Sequence, residues 1–178
     1  MVKQAGFTIV EMMVVIAVAA ILVAVAVPSF NNLIEKRKIT GAAEMIYTQM
    51  VAARTESLKR SKDIALSFVD GDAWSFGYTD DGTSCVPGTD CEIVDFNNDG
   101  TADDAVTTSF DNEQFPGVSI AVTSDDTVFS WIRSTVDTAN TVTLTSDNFE
   151  LQVQLSLLGR ARICSSTGDT QVVGYPDC

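Results

Sequence analysis

The sequence predicts an α+β fold in which one long N-terminal helix packs on a C-terminal antiparallel β-sheet domain. Two observations lead to this prediction. A disproportionate share of the apolar residues lies in the first 60 of the 178 residues, where they recur at helical spacing. Past Asp63 the chain consists of short segments in which apolar and polar residues alternate. These segments are rich in β-branched residues, and Gly, Asp and Asn lie between them. A helical stretch followed by a run of strands is typical of this class.

The predicted helix begins with an apolar segment. Met12 to Val27 is an unbroken apolar run of 16 residues, and residues 12–34 carry no charge. With the residues just before it, this run approaches the roughly 20 that cross a bilayer. Beyond Pro28 apolar residues continue three and four apart, at Phe30, Leu33, Ile34, Ala42, Ala43, Met45, Ile46, Met50 and Val51. We therefore expect one helix from about Thr8 to about Arg60, with candidate kinks at Pro28 and Gly41.

Seven segments after the helix have the pattern of β-strands. Turn residues such as Asp125-Asp126 and Ser146-Asp147-Asn148 separate consecutive segments, as in antiparallel hairpins. The predicted strands are Ile64–Val69, Ala73–Tyr78, Val118–Val122, Thr127–Ile132, Thr141–Thr145, Phe149–Leu157 and Ala161–Cys164.

Composition narrows the possible functions. The chain has no histidine, which excludes His-based catalytic triads and His-ligated zinc sites. Its formal net charge of −13 argues against a general nucleic-acid-binding surface. Its carboxylates lie in turn-like contexts without a nucleophile and base, so no enzyme is predicted.

Three interpretations of the N-terminus compete: a cleaved secretory signal, an ordinary membrane anchor and a specialised export signal. Lys3 and the small residues Ala24 and Ala26 suit the first interpretation. Glu11 opposes both the first and the second interpretation, because a carboxylate in an apolar segment is costly in a membrane and neither interpretation gives it a partner.

The residues around Glu11 favour the third interpretation. Gly6-Phe7-Thr8-Ile9-Val10-Glu11 resembles the class III signal of type IV pilins and type II secretion pseudopilins. The resemblance implies that a prepilin peptidase cuts between Gly6 and Phe7 and that Phe7 is then N-methylated. It also implies that Glu11 pairs with the N-terminal amine of a neighbouring subunit. The alternative is a glutamate that snorkels at the membrane edge.

The last predicted strand pair carries a second resemblance. Leu157-Leu158-Gly159-Arg160-Ala161-Arg162-Ile163-Cys164 is similar to the C-terminal signature of the GspH/FimT branch of pilin-like proteins. In some FimT-like proteins this Gly-Arg-x-Arg turn binds DNA, which makes Gly159, Arg160 and Arg162 candidate DNA-binding residues. The alternative is that both arginines pair with acids of the domain or of a neighbouring subunit.

Together the resemblances imply a pilin-like organisation. Residues 1–6 form a leader, 7–62 a helical spine that crosses the membrane at about 9–29, and 63–178 a β-rich domain in the periplasm or outside the cell. The implied function is a minor pilin or pseudopilin of a type II secretion pseudopilus or a type IV pilus. The alternative is a FimT-like DNA-binding minor pilin for natural transformation.

The implied partners are other pilins, the prepilin peptidase, an inner-membrane assembly platform and, in the alternative, DNA. The implied location is the bacterial inner membrane, crossed once, and a cell-surface filament after assembly.

Charge is segregated along the chain. Residues 63–132 contain 15 acidic side chains and no Lys or Arg, whereas basic residues cluster at 36–38, at 54–62 and at Arg133, Arg160 and Arg162. This layout suits an acidic face of one subunit meeting a basic helix of another. It equally suits a solvated acidic surface on an exported protein.

Four cysteines lie in the part predicted to be exported, where disulfides persist. Of three possible connectivities we favour Cys85–Cys91 with Cys164–Cys178, because each pair closes a short loop that contains Gly and Pro.

An acidic loop has partial calcium-binding spacing. Oxygen ligands occupy relative positions 1, 3, 5 and 9, with Gly100 at position 6 and the Thr101 carbonyl available at position 7; the side-chain ligands are Asp95, Asn97, Asp99 and Asp103. Position 12 is Val106 rather than the bidentate Glu of an EF-hand. Calcium is therefore a candidate ligand, and an Asn/Asp-rich exposed loop without an ion is the alternative.

Overall fold

The computed structural model describes residues 8–95, 97, 99, 101 and 104–178 of the chain. A single helix, α1, spans Ile9–Arg60 and precedes the strands of these residues. The strands are β1 (Ile64–Val69), β2 (Ser75–Thr79), β3 (Glu92–Ile93), β4 (Val106–Thr107), β5 (Ser109–Asp111), β6 (Ser119–Val122), β7 (Asp126–Ser130), β8 (Thr135–Val136), β9 (Asn140–Thr145), β10 (Glu150–Leu155) and β11 (Ala161–Ser165). The chain divides into two compact units, Met1–Ile34 and Glu35–Cys178.

The strands of the second unit form antiparallel sheets. Five strands form one sheet in the order β5-β2-β1-β7-β8, four form another in the order β11-β10-β9-β6, and β3 pairs with β4. The long helix and the antiparallel sheets confirm the predicted α+β fold. The seven predicted strands are present with small shifts of their ends, but β3, β4, β5 and β8 were not predicted.

The helix residues of the second unit bury one face in the domain core. Buried residues recur three and four apart, as one helical stripe requires, at Ile39, Ala42, Ala43, Ile46, Met50, Ala53 and Ser57. The apolar members share one hydrophobic core with residues of both larger sheets. Val51, placed on the apolar face from the sequence, is exposed instead, so the periodicity located this stripe only to within one residue.

The two larger sheets contribute to the core in different ways. Ile64 to Phe68 of β1 are all buried, because β1 lies between β2 and β7 and is covered on both faces. In β10 burial alternates: Leu151, Val153 and Leu155 are buried, and the glutamines between them are half-buried. The alternation shows that this sheet turns only one face to the core.

Gly41 has a packing role. The helix continues through this position, where a kink was one prediction. A β-carbon added at Gly41 would lie 2.9 Å from a ring carbon of Phe115. Phe115 in turn stacks on Trp74, whose indole nitrogen donates to the Val118 carbonyl at 2.9 Å. Because Gly41 has no side chain, the ring of Phe115 can pack directly against the helix.

The structure joins Cys85 to Cys91 and Cys164 to Cys178, the pairing favoured from the sequence. The second disulfide fixes the C-terminal segment against β11, the outer strand of the four-stranded sheet. There the Ser165 amide donates to the Pro176 carbonyl at 2.8 Å, and the Cys178 amide donates to the Ser165 carbonyl at 3.1 Å. The segment also buries Val172 completely.

Glu35, at the start of the second unit, holds the turn between β9 and β10. Its two carboxylate oxygens accept hydrogen bonds from the backbone and side-chain nitrogens of Asn148, at 2.6 and 2.7 Å. Burial raises the pKa of Glu35, but the hydrogen bonds from Asn148 outweigh it and leave this pKa below its ordinary value. The charged form is therefore the one that the fold stabilises.

We predict that Glu35→Gln lowers the free energy of unfolding by about 1 kcal/mol at pH 7, because one acceptor becomes a donor. A depressed folded-state pKa contributes stability above the unfolded value of about 4.3 that is lost as pH falls through the folded value. The difference between the two proteins should therefore shrink in acid. Urea unfolding of the full chain in mild detergent at several pH values measures it. Glu113→Gln, at an exposed site, is the control, and a pH-independent difference for Glu35→Gln would contradict the prediction.

Candidate functional site

The start of α1 has the geometry of a capped helix. The Thr8 hydroxyl accepts a hydrogen bond from the Glu11 amide at 3.2 Å, three residues ahead. Thr-x-x-Glu is the sequence of a capping box, a signal that the sequence analysis passed over. Glu11 thus lies in the first turn, where the partial positive charge of the helix N-terminus favours a carboxylate. This local role explains the presence of an acid at the helix start but not the apolar sequence that follows.

The helix beyond Glu11 is unusual in its exposure. Every residue from Thr8 to Ile34 whose side chain is described is exposed, including Phe30, Leu33 and Ile34, which the sequence had placed on one apolar face. Large contiguous apolar surface on a protein marks a site of interaction. Gly6 and Phe7, the predicted cleavage residues, lie outside the described residues. No helix in the part of the chain that the structure describes is both long and apolar enough to cross a membrane.

The Gly-Arg-x-Arg segment spans the end of the β10–β11 turn, at Gly159 and Arg160, and the first two residues of β11. The Gly159 amide donates to the Ser156 carbonyl at 2.8 Å, and Gly159 has a φ of +68°. Its carbonyl accepts from the Arg54 guanidinium at 2.9 Å, and Arg54 also donates to the Ser134 hydroxyl at 3.1 Å. Arg54, on α1, therefore fastens this turn and the β7–β8 turn to the helix. This role of Arg54 is not visible in the sequence, since its partners lie 80 and 105 residues away along the chain.

Arg160, in the turn, and Arg162, in β11, line one open groove of about 570 Å³, together with Gln154 and Thr141. Both are exposed. The Arg162 guanidinium donates twice to the side-chain oxygen of Gln154, at 3.0 and 2.7 Å. Across the described residues, the Arg160 guanidinium makes no hydrogen bond or ion pair. Arg162 is thus oriented by its neighbour strand, and Arg160 is available to a ligand.

Oxygen atoms of the acidic loop accept hydrogen bonds from the loop itself and from Arg60 of α1. The Asp99 carboxylate accepts from the hydroxyl and the amide of Thr101, and these bonds lower the pKa of Asp99. The Asp99 amide donates to Asp95 Oδ1 at 3.1 Å, and the Arg60 guanidinium donates to the Asp95 carbonyl. Asp103 lies outside the described residues, and those described include no group of acidic side chains arranged for a metal ion. Calcium binding at this loop stays a prediction.

Comparison with known families places the chain. The sequence model of the family described as "Type II transport protein GspH" matches residues 42–159, more than half of the chain. The chain belongs to the GspH family. A second family model, the "Prokaryotic N-terminal methylation motif", matches residues 1–27. The two matches confirm the predicted family and the N-terminal methylation motif around Glu11, whereas Arg160 and Arg162 of the Gly-Arg-x-Arg segment lie outside both matches.

Individual relatives are fimbrial proteins. The GspH-family chain is 26% identical over 136 residues to "Type IV major fimbrial protein FimA" of Dichelobacter nodosus, covering 73% of this chain and 81% of that one. It is 26% identical over 100 residues to a "Fimbrial protein" of Pseudomonas aeruginosa, covering 56% of this chain and 65% of that one.

Among solved structures, the type IV minor pilin FimU of Pseudomonas aeruginosa is similar, at 14% identity and a TM-score of 0.48. The similarity covers 72% of this chain and 90% of FimU.

The GspH match concerns both the expected class of protein and the residues of the β10–β11 turn. Pilin-like families consist of structural subunits rather than enzymes, in agreement with the sequence-based expectation. The match includes Arg54 and ends at Gly159, the two residues joined by the guanidinium–carbonyl bond. Arg160, Arg162 and the Cys164–Cys178 disulfide lie beyond it. In this GspH-family chain the positive φ of Gly159 and its bond to Arg54 give it a role in the fold.

We predict that Gly159→Ala destabilises the protein by about 2 kcal/mol, because a side chain strains this positive φ. The added β-carbon would also lie 2.8 Å from the Ser134 carbonyl oxygen. Gly88→Ala is the control, since Gly88 has a φ of +83°, nearer to that of Gly159, and nothing within 4 Å of an added β-carbon. Denaturant unfolding should show the larger loss at Gly159, and equal losses would show that the close approach to Ser134 has no effect.

Proposed function

We propose that this protein is a minor pilin or pseudopilin that joins a membrane-anchored filament through its N-terminal helix. The observation that carries the proposal is the exposed apolar helix from Ile9 to Ile34, in which Glu11 is the only charged residue. An apolar surface of that length needs a partner. The N-terminal methylation motif that matches this segment favours the helices of neighbouring subunits as that partner.

Processing prepares the helix for assembly. A prepilin peptidase cuts between Gly6 and Phe7, which leaves 178 − 6 = 172 residues. The new N-terminal amine of Phe7, once methylated, remains cationic. Glu11 of one subunit pairs with this amine on a neighbour within the apolar filament interior. A lone buried charge is strongly destabilising and a paired one is not, so the pair fixes the register between subunits.

The route of assembly follows from the same segment. Before incorporation the apolar helix is held in the bacterial inner membrane, crossing it once at about residues 9–29, with the β-rich domain in the periplasm. A membrane-embedded assembly platform then extracts subunits into the filament. The family description names type II transport, and the relatives are named fimbrial proteins, so both a pseudopilus and a type IV pilus are supported.

We predict that Glu11→Gln is cut and methylated normally but enters filaments at least about tenfold less well, since the subunit amine loses its counter-charge. Mass spectrometry of membrane and filament fractions gives the N-terminal mass and the amount incorporated. Thr8→Ala is the control, because it removes the helix cap and keeps the carboxylate. A mature chain that begins near Val27, or full incorporation of Glu11→Gln, would overturn the proposal.

A second candidate function is DNA binding during uptake, favoured by one observation. Arg160 and Arg162 line the same open groove, and the Arg160 side chain is available to a ligand. Two guanidinium groups so placed suit contacts with phosphates that carry no base specificity. The acidic remainder of the chain opposes long-range attraction of DNA, so such binding would be weak and salt-sensitive.

For this second function we predict that Arg160→Ala/Arg162→Ala reduces DNA affinity by about tenfold or more and lowers its salt dependence, since two phosphate contacts are lost. Fluorescence anisotropy of a labelled duplex at several salt concentrations measures both. Lys36→Ala/Arg37→Ala removes the same charge from the helix and is the control. Equal effects of the two double variants would argue against a site at the turn.

A further inference from the structure

One end of the second unit carries an apolar surface flanked by arginines. We call it the arginine end: Trp131, Ile132 and Arg133 in the β7–β8 turn, with Leu157, Leu158 and Arg160 in the β10–β11 turn. Its four apolar side chains have exposed fractions of 41%, 73%, 56% and 63% in chain order. The Val136 amide donates to the Leu157 carbonyl at 3.1 Å, which holds the turns side by side. Arg54 binds both turns, so this surface is built into the fold.

A groove of about 340 Å³ with the opposite charge lies elsewhere on the same unit. We call it the aspartate groove: it is lined by Asp70, Asp125 and Asp126, by the apolar side chains of Val69, Val86 and Pro87, and by Phe68, Ser67, Ser84 and Cys85. No lysine or arginine is among these lining residues. The Asp126 carboxylate accepts from Ser67 at 2.6 Å, while Asp70 and Asp125 are exposed. Val69 and Val86 are also exposed, at 45% and 57%.

Strand register places these two surfaces at opposite ends of the five-stranded sheet. In the β1–β7 pair, Ser67 lies opposite Asp126 and Ile64 opposite Phe129. The chain therefore leaves the aspartate groove at Asp126 and reaches Trp131 just past the other end of β7, roughly 17 Å away at about 3.3 Å per residue. One molecule cannot bring its own two ends together, whereas two molecules can.

We propose that the arginine end of one copy docks in the aspartate groove of a second copy, head to tail. The charges are complementary and each surface includes exposed apolar side chains, so burial and ion pairing act together. The rest of the domain is strongly acidic, so like charges oppose other orientations. A contact between two different surfaces can repeat from copy to copy, and it builds an open filament when the rotation between copies does not close a ring. The inference rests on the proposed function only for the need to assemble.

The test uses the full chain in mild detergent with a photoreactive benzoylphenylalanine in place of Leu158. Equal amounts of ¹⁴N- and ¹⁵N-labelled protein are mixed and irradiated, so a crosslink that carries both isotopes joins two copies. Mass spectrometry of chymotryptic fragments locates it. We expect mixed-isotope crosslinks from position 158 to the segments 67–70, 84–87 or 124–126. Crosslinks only within one copy, to detergent or to other segments would overturn the proposal.

Variants that reverse the charge of one surface test whether the two surfaces contact each other. Arg133→Asp/Arg160→Asp and Asp70→Arg/Asp125→Arg should each lower the crosslink yield at least about tenfold, because like charges then meet. Mixing the two variants should restore it, since each then offers the charge that the other lacks. Asp147→Arg/Asp169→Arg makes the same charge change elsewhere and should keep the yield. Unchanged yields, or no recovery on mixing, would overturn the contact, and the Glu11→Gln result would still stand as the separate test of helix-driven assembly.

Discussion

The structure of the globular unit depends on the burial of one helix face. From Ile39 to Ser57 the buried positions follow a single stripe, and three of them are alanine. Small side chains allow the helix backbone to lie close to the sheets, and Gly41 extends this to the ring of Phe115. The same stretch of helix supplies Arg54, which orients two turns of the sheets. Core packing and the position of the turn that contains Gly159 are therefore set by one element.

The spacing of apolar residues was enough to predict the helix and the longer strands. The helix ends and the seven longer strands follow from spacing, because each buries a face of its own. The short strands β3, β4, β5 and β8 have two or three residues each, too few for a period, and they exist because a partner strand is adjacent. Exposure of Phe30 and Leu33 was missed for a related reason: apolar spacing indicates a helical face but not what covers it.

Some residues of the candidate sites can be recognised from the sequence, and others only from their distant partners in the fold. Glu11, Gly159 and the cysteines stand out in the sequence because their residue types are unusual in context. Arg54 and Glu35 do not, since a charged residue on an amphipathic helix is ordinary until its distant partner is known. Thr8 differs from Arg54 and Glu35, because the Thr-x-x-Glu spacing is a local signal that the sequence alone could have supplied. Charge segregation along the chain becomes spatial in the fold, with acidic and basic surfaces at the two ends of one sheet.

The C-terminal segment has a consequence for crowded assemblies. An outer β-strand offers unpaired amides and carbonyls that can template the addition of another chain. At Ser165 of β11 both groups are already bonded to the last residues, which Cys178 fastens covalently. In the filament proposed above, subunits would otherwise present this end of the edge to one another at high local density. The disulfide therefore keeps this end of the outer strand paired within its own chain, and its reduction would free the segment that covers Ser165.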